Sequence, residues 1–272
     1  MRLVLAIAAC AALLPAATRP DDRPSGVVRV AAAADLKFAL EEVIARFRET
    51  APGVEVRTSF GSSGSFFVQI SNGAPMDLFL SADASYPRKL VADGAAVPGS
   101  EFAYGIGRIV LWVPRGSPID LERLGMRALL DPSVRRIAIA NPDHAPYGLA
   151  AVQAMRASGV HDRLGARLVL GQNVAQAAQF VQSGSAQIGV LAISLARSPP
   201  MTGDGRFWIV PDDAHEPLVQ TGVLLKASRN PAAARAFAAF LRGPEGRDIL
   251  RRYGFAVPER GAAERGAAQP TE

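Results

Sequence analysis

Hydrophobic positions along this chain follow two rhythms, and the rhythm changes at short loops of small residues. Compact apolar runs rich in Val and Ile predict strands, and apolar residues three and four apart predict helices. Residues 27–30 form the first predicted strand, after which Leu36, Leu40, Val43, Ile44 and Phe47 make a helical stripe. Pro52-Gly53 turns the chain into a second strand, VEVRTSF (residues 54–60). It runs through Gly61, Ser62, Ser63, Gly64 and Ser65 into a helix carrying Phe66, Phe67 and Ile70. DLFLSAD (residues 77–83) reads as a buried strand followed by a short helix. The grammar then repeats. Residues 108–113 predict a strand, and residues 137–140 a strand that meets a helix through the loop 141–147. Another strand meets a helix through the loop 171–174, with Ala177, Phe180 and Val181 facing inward. QIGVLAISLA, residues 207–210 and VLLKAS add strands, and Asn230-Pro231 opens the last helical run.

Strands alternating with helices predict mainly parallel α/β sheets with helices on both faces. Four joints share one design: a strand, a loop of small residues and a helix start, near Asp35, Ser63, Tyr147 and Val174. The first N–H groups of a helix lack intrahelical acceptors and carry the positive end of its dipole. Each joint is therefore a potential anion cradle. Asp35 stands where an N-cap belongs and is expected to cap its helix. Two joints lie in the first third of the chain and two in the middle, as two lobes facing each other across a cleft would require.

With 272 residues, 49% of them hydrophobic and 20% charged, the chain can build a sizeable core. The net charge of +5 is spread rather than clustered, and aromatic residues are not interleaved with it. This excludes a nucleic-acid-binding face. Residues 1–18 read as a secretory signal: Arg2, then LVLAIAACAALL, then PAAT. Cys10 is the only cysteine and would be lost on cleavage, which excludes a disulfide framework. IAAC resembles a lipoprotein box, but the apolar run before Cys10 is short and continues past it, which favours cleavage over lipid anchoring. No later stretch is long and apolar enough to span a membrane, so the mature protein is expected to be a soluble periplasmic one. Residues 258–272 carry no apolar period and read as a disordered tail.

Candidate enzyme chemistry is sparse. FGSSGSF lacks the Gly-Lys-Ser/Thr ending of a P-loop and the Gly-x-Ser-x-Gly spacing of a nucleophile elbow. His144, His161 and His215 have no second His or Cys at ligand spacing. Asp77 and Asp83 flank a strand and could form an acid pair, but Asp83 is more simply a turn residue. Trp112 and Trp208 read as core or hinge packing.

In order along nearly the whole mature chain, VAAAADL, SFGSSG, GAPMDLFLSAD, IANPDHAPYG, VLGQNVAQAAQFVQSG, QIGV and LRGPEGRDILRRYGF resemble the periplasmic molybdate-binding proteins of ABC importers, which have the type II periplasmic-binding-protein fold. The resemblance implies two doubly wound α/β lobes joined by two crossover segments around a cleft. Lobe 1 would comprise residues 27–105 and 218–257, and lobe 2 residues 106–217. It also implies a monomer without catalysis or cofactor that captures molybdate and tungstate and delivers them to a membrane permease. Carried over by motif, the oxyanion would meet Asp35 or its neighbour Ala34, Ser63 with Ser62 beside it, Tyr147, and Val174. Molybdenum would arrive inside its oxyanion, so Asp35, Ser63, Tyr147 and Val174 would surround the metal without bonding it. Two departures stand out. Some members have Ser or Asn in place of Asp35; its carboxylate, repelled by a dianion, is expected to turn away and cap the helix while its N–H faces the ligand. Some members also have a ligand-binding Tyr where this chain has Ala192, and the Tyr147 hydroxyl is expected to replace it. Cavity size would select against sulfate, and a lack of acceptors for its proton against phosphate.

Two other readings stay open from sequence. One is a receptor of the same fold for another small anion or an organic acid, which a buried Arg such as Arg108 would favour. The other is an exported hydrolase or transferase with Ser62 or Ser63 as nucleophile and His144 as base.

Overall fold

The computed structural model describes residues 24–257, so the expected signal stretch with Cys10 and the expected tail from 258 lie outside the described residues. In chain order, β1 (Gly26–Ala33) passes through a one-turn 3-10 helix (Ala34–Leu36) into α1 (Lys37–Thr50). β2 (Val54–Gly61), α2 (Ser63–Ser71), β3 (Leu78–Ser81), α3 (Ser85–Ala92) and β4 (Phe102–Gly107) follow. The chain then crosses to β5 (Ile109–Pro114), α4 (Leu121–Leu124), β6 (Ile137–Ala140), α5 (Pro146–Ala157), β7 (Leu168–Gly171), α6 (Val174–Gln182), β8 (Ile188–Ala192), α7 (Ile193–Ala196), α8 (Pro199–Thr202) and β9 (Gly205–Ile209). It returns through β10 (Leu218–Leu224) and ends in α9 (Pro231–Arg242) and α10 (Pro244–Arg252).

Two five-stranded sheets result, ordered β2-β1-β3-β10-β4 and β7-β6-β8-β5-β9. The two orders are the same pattern. In each sheet a single strand runs against the rest: β10 is antiparallel to β3 and β4, and β5 is antiparallel to β8 and β9. Those two strands are the ones that have just come from the other sheet. A strand that enters directly from the cleft has no helical crossover to reverse its direction, so it inserts antiparallel. The sheets are thus mixed, where alternation alone predicts parallel neighbours. β4 is not predicted from sequence, because the two glycines of FAYGIG break its apolar run.

Side-chain alternation explains the layers. In the first sheet Val28, Val30, Ala32, Leu78 and Leu80 face α1, α9 and α10, where Phe47, Phe237 and Leu250 complete one core. Ala31 and Phe79 face the opposite way and meet Phe66, Ile70 and Leu90 of α2 and α3. The second sheet has its own core, which includes the buried Trp112. Ala33, Ala34 and Ala82 of the first lobe belong to that second core, so the two lobes meet through small apolar residues. Among the described residues no helix is long and apolar enough to cross a membrane.

Candidate functional site

Between the lobes, where the strand ends of both sheets converge, lies a small cleft that encloses about 200 Å³ of empty space, part of it open to solvent. Ala34, Asp35, Ser62, Ser63, Tyr147 and Val174 all line it, and its lining contains no Lys, Arg or His.

The helix starts around it can be followed donor by donor. In α2 the Gly64 N–H donates to the His144 carbonyl at 3.0 Å, and the Phe66 N–H to the Ser62 carbonyl. The Ser65 N–H donates to the Ser62 hydroxyl at 3.3 Å, which makes Ser62 the N-cap. The first-turn N–H of Ser63 is left without a protein acceptor among the described residues. In α5, Pro146 has no N–H, and the N–H groups of Gly148 and Leu149 both reach the Ala145 carbonyl. That leaves Tyr147. In α6 the Asn173 side chain caps the Gln176 N–H at 3.0 Å and its carbonyl takes the Ala177 N–H, leaving Val174 and Ala175. At the first joint the Lys37 N–H bonds the Ala34 carbonyl, and the Ala34 N–H has no acceptor among the described residues. Each of the four joints therefore contributes an unpaired donor from a residue that lines the cavity. The Ser63 hydroxyl accepts from the Ala82 N–H at 2.9 Å, so its own proton is free to donate.

Several expectations are corrected by the side chains. Asp35 makes no cap: it sits in the 3-10 turn, and no side chain caps either that turn or α1. Its buried carboxylate accepts at Oδ2 from the Tyr147 hydroxyl at 2.9 Å and from Gln220 Nε2 at 2.9 Å, while Oδ1 has no partner. Desolvation pushes the Asp35 carboxyl up to about 6, against the opposing pull of Tyr147, Gln220 and the N–H groups of residues 35 and 36. The Tyr147 hydroxyl donates to Asp35 and accepts from Gln220 at 3.2 Å, so in this structure its proton is engaged by a protein group. Burial, and then the neighbouring Asp35, raise the Tyr147 hydroxyl well above the ordinary tyrosine value. The Ser62 hydroxyl donates to the Ser65 hydroxyl at 2.8 Å and lies 2.9 Å from His144 Nδ1. It is occupied by the cap and by this bond across the cleft. Asp35, one of the lining residues, carries at Oδ1 a buried acceptor without a partner at hydrogen-bond geometry.

Gln220, which sequence reasoning missed, ties the network together. It lies in β10 at an irregularity between residues 220 and 221, where the backbone re-aims its side chain. Its Oε1 lies 2.9 Å from the Tyr104 hydroxyl, which is also 3.0 Å from the Ser81 carbonyl. The signal was present: uncharged polar residues such as Gln220 in a largely apolar strand are buried hydrogen-bonding groups. Ser194, also missed, donates to the Asp35 carbonyl at 2.8 Å from the other lobe.

The remaining candidates lie elsewhere. Arg108 pairs with Asp212 at 3.1 Å outside the cavity. Asp83 accepts from the Ser85 N–H as a turn residue. Asp77 accepts from the Arg29 N–H, the Ser228 hydroxyl and the Arg229 N–H, pinning β1 and β3 to the segment after β10. Burial would raise its pKa, but these donors hold it below the usual carboxylate value. His161 pairs with Asp162, and His215 with the Glu216 carbonyl. Among the described residues no group of His, Cys, Asp and Glu could hold a metal ion.

Comparison with known proteins agrees with this architecture. The family of bacterial extracellular solute-binding proteins matches residues 28–256. The molybdate-binding protein ModA of Rhodobacter capsulatus is 41% identical over 231 residues, 85% of this chain and 88% of that protein. ModA of Azotobacter vinelandii is 36% identical over 256 residues, 94% of this chain and 97% of that protein. The solved structure of the Azotobacter vinelandii periplasmic molybdate-binding protein superposes with a TM-score of 0.80 at 35% identity, covering 85% of this chain and all of that one. The sulfate-binding protein SubI of Mycobacterium tuberculosis, at 18% identity and a TM-score of 0.73, shares the fold alone. These relatives are binding proteins and not enzymes. The chain is a bacterial extracellular solute-binding protein of the molybdate-binding family.

Proposed function

We propose that this protein captures molybdate, and tungstate of nearly the same size, in the interlobe cavity. It would do so in the periplasm after removal of residues 1–18, and deliver the anion as a monomer to the permease of an ABC importer. One observation carries the reading: unpaired first-turn N–H groups at four joints, with the Ser63 hydroxyl, line a cavity free of cationic side chains. Ala34, Ser63, Tyr147 and Val174 would each donate from the backbone, and Ser63 also from its side chain. Neutral donors at helix starts stabilise a small dianion without the indiscriminate attraction of a lysine. The names of the relatives support molybdate in particular. The lobes would part at residue 108 and at residues 210–217 to admit the anion, and reclose over it.

A thermal-shift panel of molybdate, tungstate, sulfate, phosphate and chromate tests this, because a ligand raises stability by mass action. Molybdate and tungstate should raise Tm most. A panel in which molybdate produces no shift sinks the reading, and a shift with sulfate or phosphate alone moves the protein to the second reading, a receptor for another small anion.

A further inference from the structure

Asp35 is the feature that the oxyanion reading does not absorb. A buried carboxylate lines a cavity proposed to hold a dianion, and one of its oxygens has no partner. Resting on that reading, we propose that Asp35 binds the oxyanion in its acid form, so that each anion captured brings one proton from solvent onto Oδ1. Protonated Oδ1 changes from an acceptor into a donor and adds an O–H to the N–H groups around the cavity.

The geometry selects the oxygen. Oδ2 is occupied by two donors, the Tyr147 hydroxyl and Gln220 Nε2, so it is the poorer place for a proton. Oδ1 is buried and has no partner at hydrogen-bond geometry, although the N–H groups of residues 35 and 36 act on the carboxyl from its own turn. The groups that face this carboxyl leave it without a counter-charge. From α5 comes Tyr147, and from β4, behind Gln220 of β10, comes Tyr104; burial holds both neutral. From α7 comes Ser194, which contacts only the Asp35 backbone. His144 touches Ser62, and the lining contains no Lys, Arg or His. A second negative charge in the same buried space favours the neutral acid. Proton and anion would therefore enter together.

Linkage gives a signature. Above the pH at which Asp35 titrates in the free protein, affinity for a dianion should weaken about tenfold per pH unit, and below it the dependence should flatten. Calorimetry of molybdate binding at pH 8, in two buffers of different ionisation enthalpy, should count about one proton taken up per anion. In Asp35→Asn the count should fall towards zero and affinity should become level between pH 7 and 9. Should that variant fail to fold, an infrared carboxylic-acid band that appears in the wild type at pH 8 on adding molybdate makes the same test. Molybdate binding without proton uptake, or uptake undiminished in Asp35→Asn, overturns the proposal and leaves the molybdate reading standing. Preference for hydrogen phosphate without proton uptake at pH 8 would instead make Oδ1 an acceptor for the ligand's own proton, which also overturns it. No molybdate binding at any pH removes the oxyanion reading itself and this proposal with it.

Discussion

The two lobes repeat one strand order and face one cavity, yet they furnish it differently. Lobe 1 brings polar side chains, Asp35, Ser62 and Ser63, all buried. Lobe 2 brings backbone donors at Tyr147 and Val174; the Val174 side chain is apolar, the Tyr147 hydroxyl is turned to Asp35, and the Asn173 side chain caps α6. The buried carboxylates among the described residues, Asp35 and Asp77, are both in lobe 1. A helix start needs no particular side chain to offer its N–H groups. Recognition can thus be shared between a lobe whose chemistry is written in its residue types and one whose chemistry lies in where its helices begin.

Glycines in the first turns give the strongest test of this contrast. A Cβ at Gly148 would lie 2.2 Å from the Ala140 carbonyl oxygen, within lobe 2. A Cβ at Gly64 would lie 2.6 Å from the His144 carbonyl oxygen, on the opposite lobe. Gly148→Ala should destabilise the protein by about 3 kcal/mol, the upper end of overpacking, read as a lowered denaturation midpoint. Gly64→Ala should lower the free protein's midpoint less than Gly148→Ala, because its backbone clash lies across the cleft and its contact within lobe 1, 2.9 Å from the Tyr86 hydroxyl, is with the end of a side chain that can shift; it should weaken molybdate binding by roughly five- to hundredfold in calorimetry. Equal midpoints for the two variants would break the distinction.

Within lobe 1 the two buried carboxylates should respond to pH in opposite senses. Asp35 is raised from 3.8 to about 6, so the free protein should lose stability as pH rises between those values and stay level above. The loss is at most about 3 kcal/mol, and Asp35→Asn should abolish it. Asp77 is lowered, so its stabilisation is complete above the ordinary carboxylate range and disappears as pH falls through its depressed value. Asp77→Asn should remove that acid-side loss. Urea midpoints of the wild type and both variants across pH 3 to 8 would separate the two contributions.

Side-chain truncation sharpens the comparison further. Ser63→Ala should weaken molybdate binding by about 1.5–3 kcal/mol, roughly ten- to hundredfold, through loss of a charge-assisted hydrogen bond. Val174→Ala retains its N–H and should change affinity only a few-fold. The smallest effect on affinity is expected for Tyr147→Phe, within about threefold at pH 6, because the lost hydroxyl faces Asp35 and Gln220. A large loss in that variant would place the hydroxyl on the ligand after all.

The joints were legible in the sequence because their loops carry Gly, Ser, Asn and Pro between apolar runs of changed period. Side-chain directions at those joints were not. Asp35 looked like a cap because a strand precedes it and a helical stripe follows, but an intervening 3-10 turn rotates its carboxylate inward. Its partners, Tyr147 and Gln220, lie 112 and 185 residues away in sequence, and no local pattern encodes that meeting. The bond from Ser62 to His144, 82 residues apart and on facing lobes, escaped for the same reason. Mixed strand direction follows from the crossings between lobes, which periodicity does not report.

The contacts across the cleft also bear on signalling. The bonds from Gly64 to His144, Ser62 to His144 and Ser194 to Asp35, together with the alanine seam, join the lobes without involving any ligand atom. Each reduces the binding free energy that must be diverted into closure, and so raises apparent affinity. Each equally raises the fraction of empty receptors that display the closed face. The strength of this latch therefore sets a compromise between scavenging a scarce anion and sending the membrane partner a false announcement of cargo.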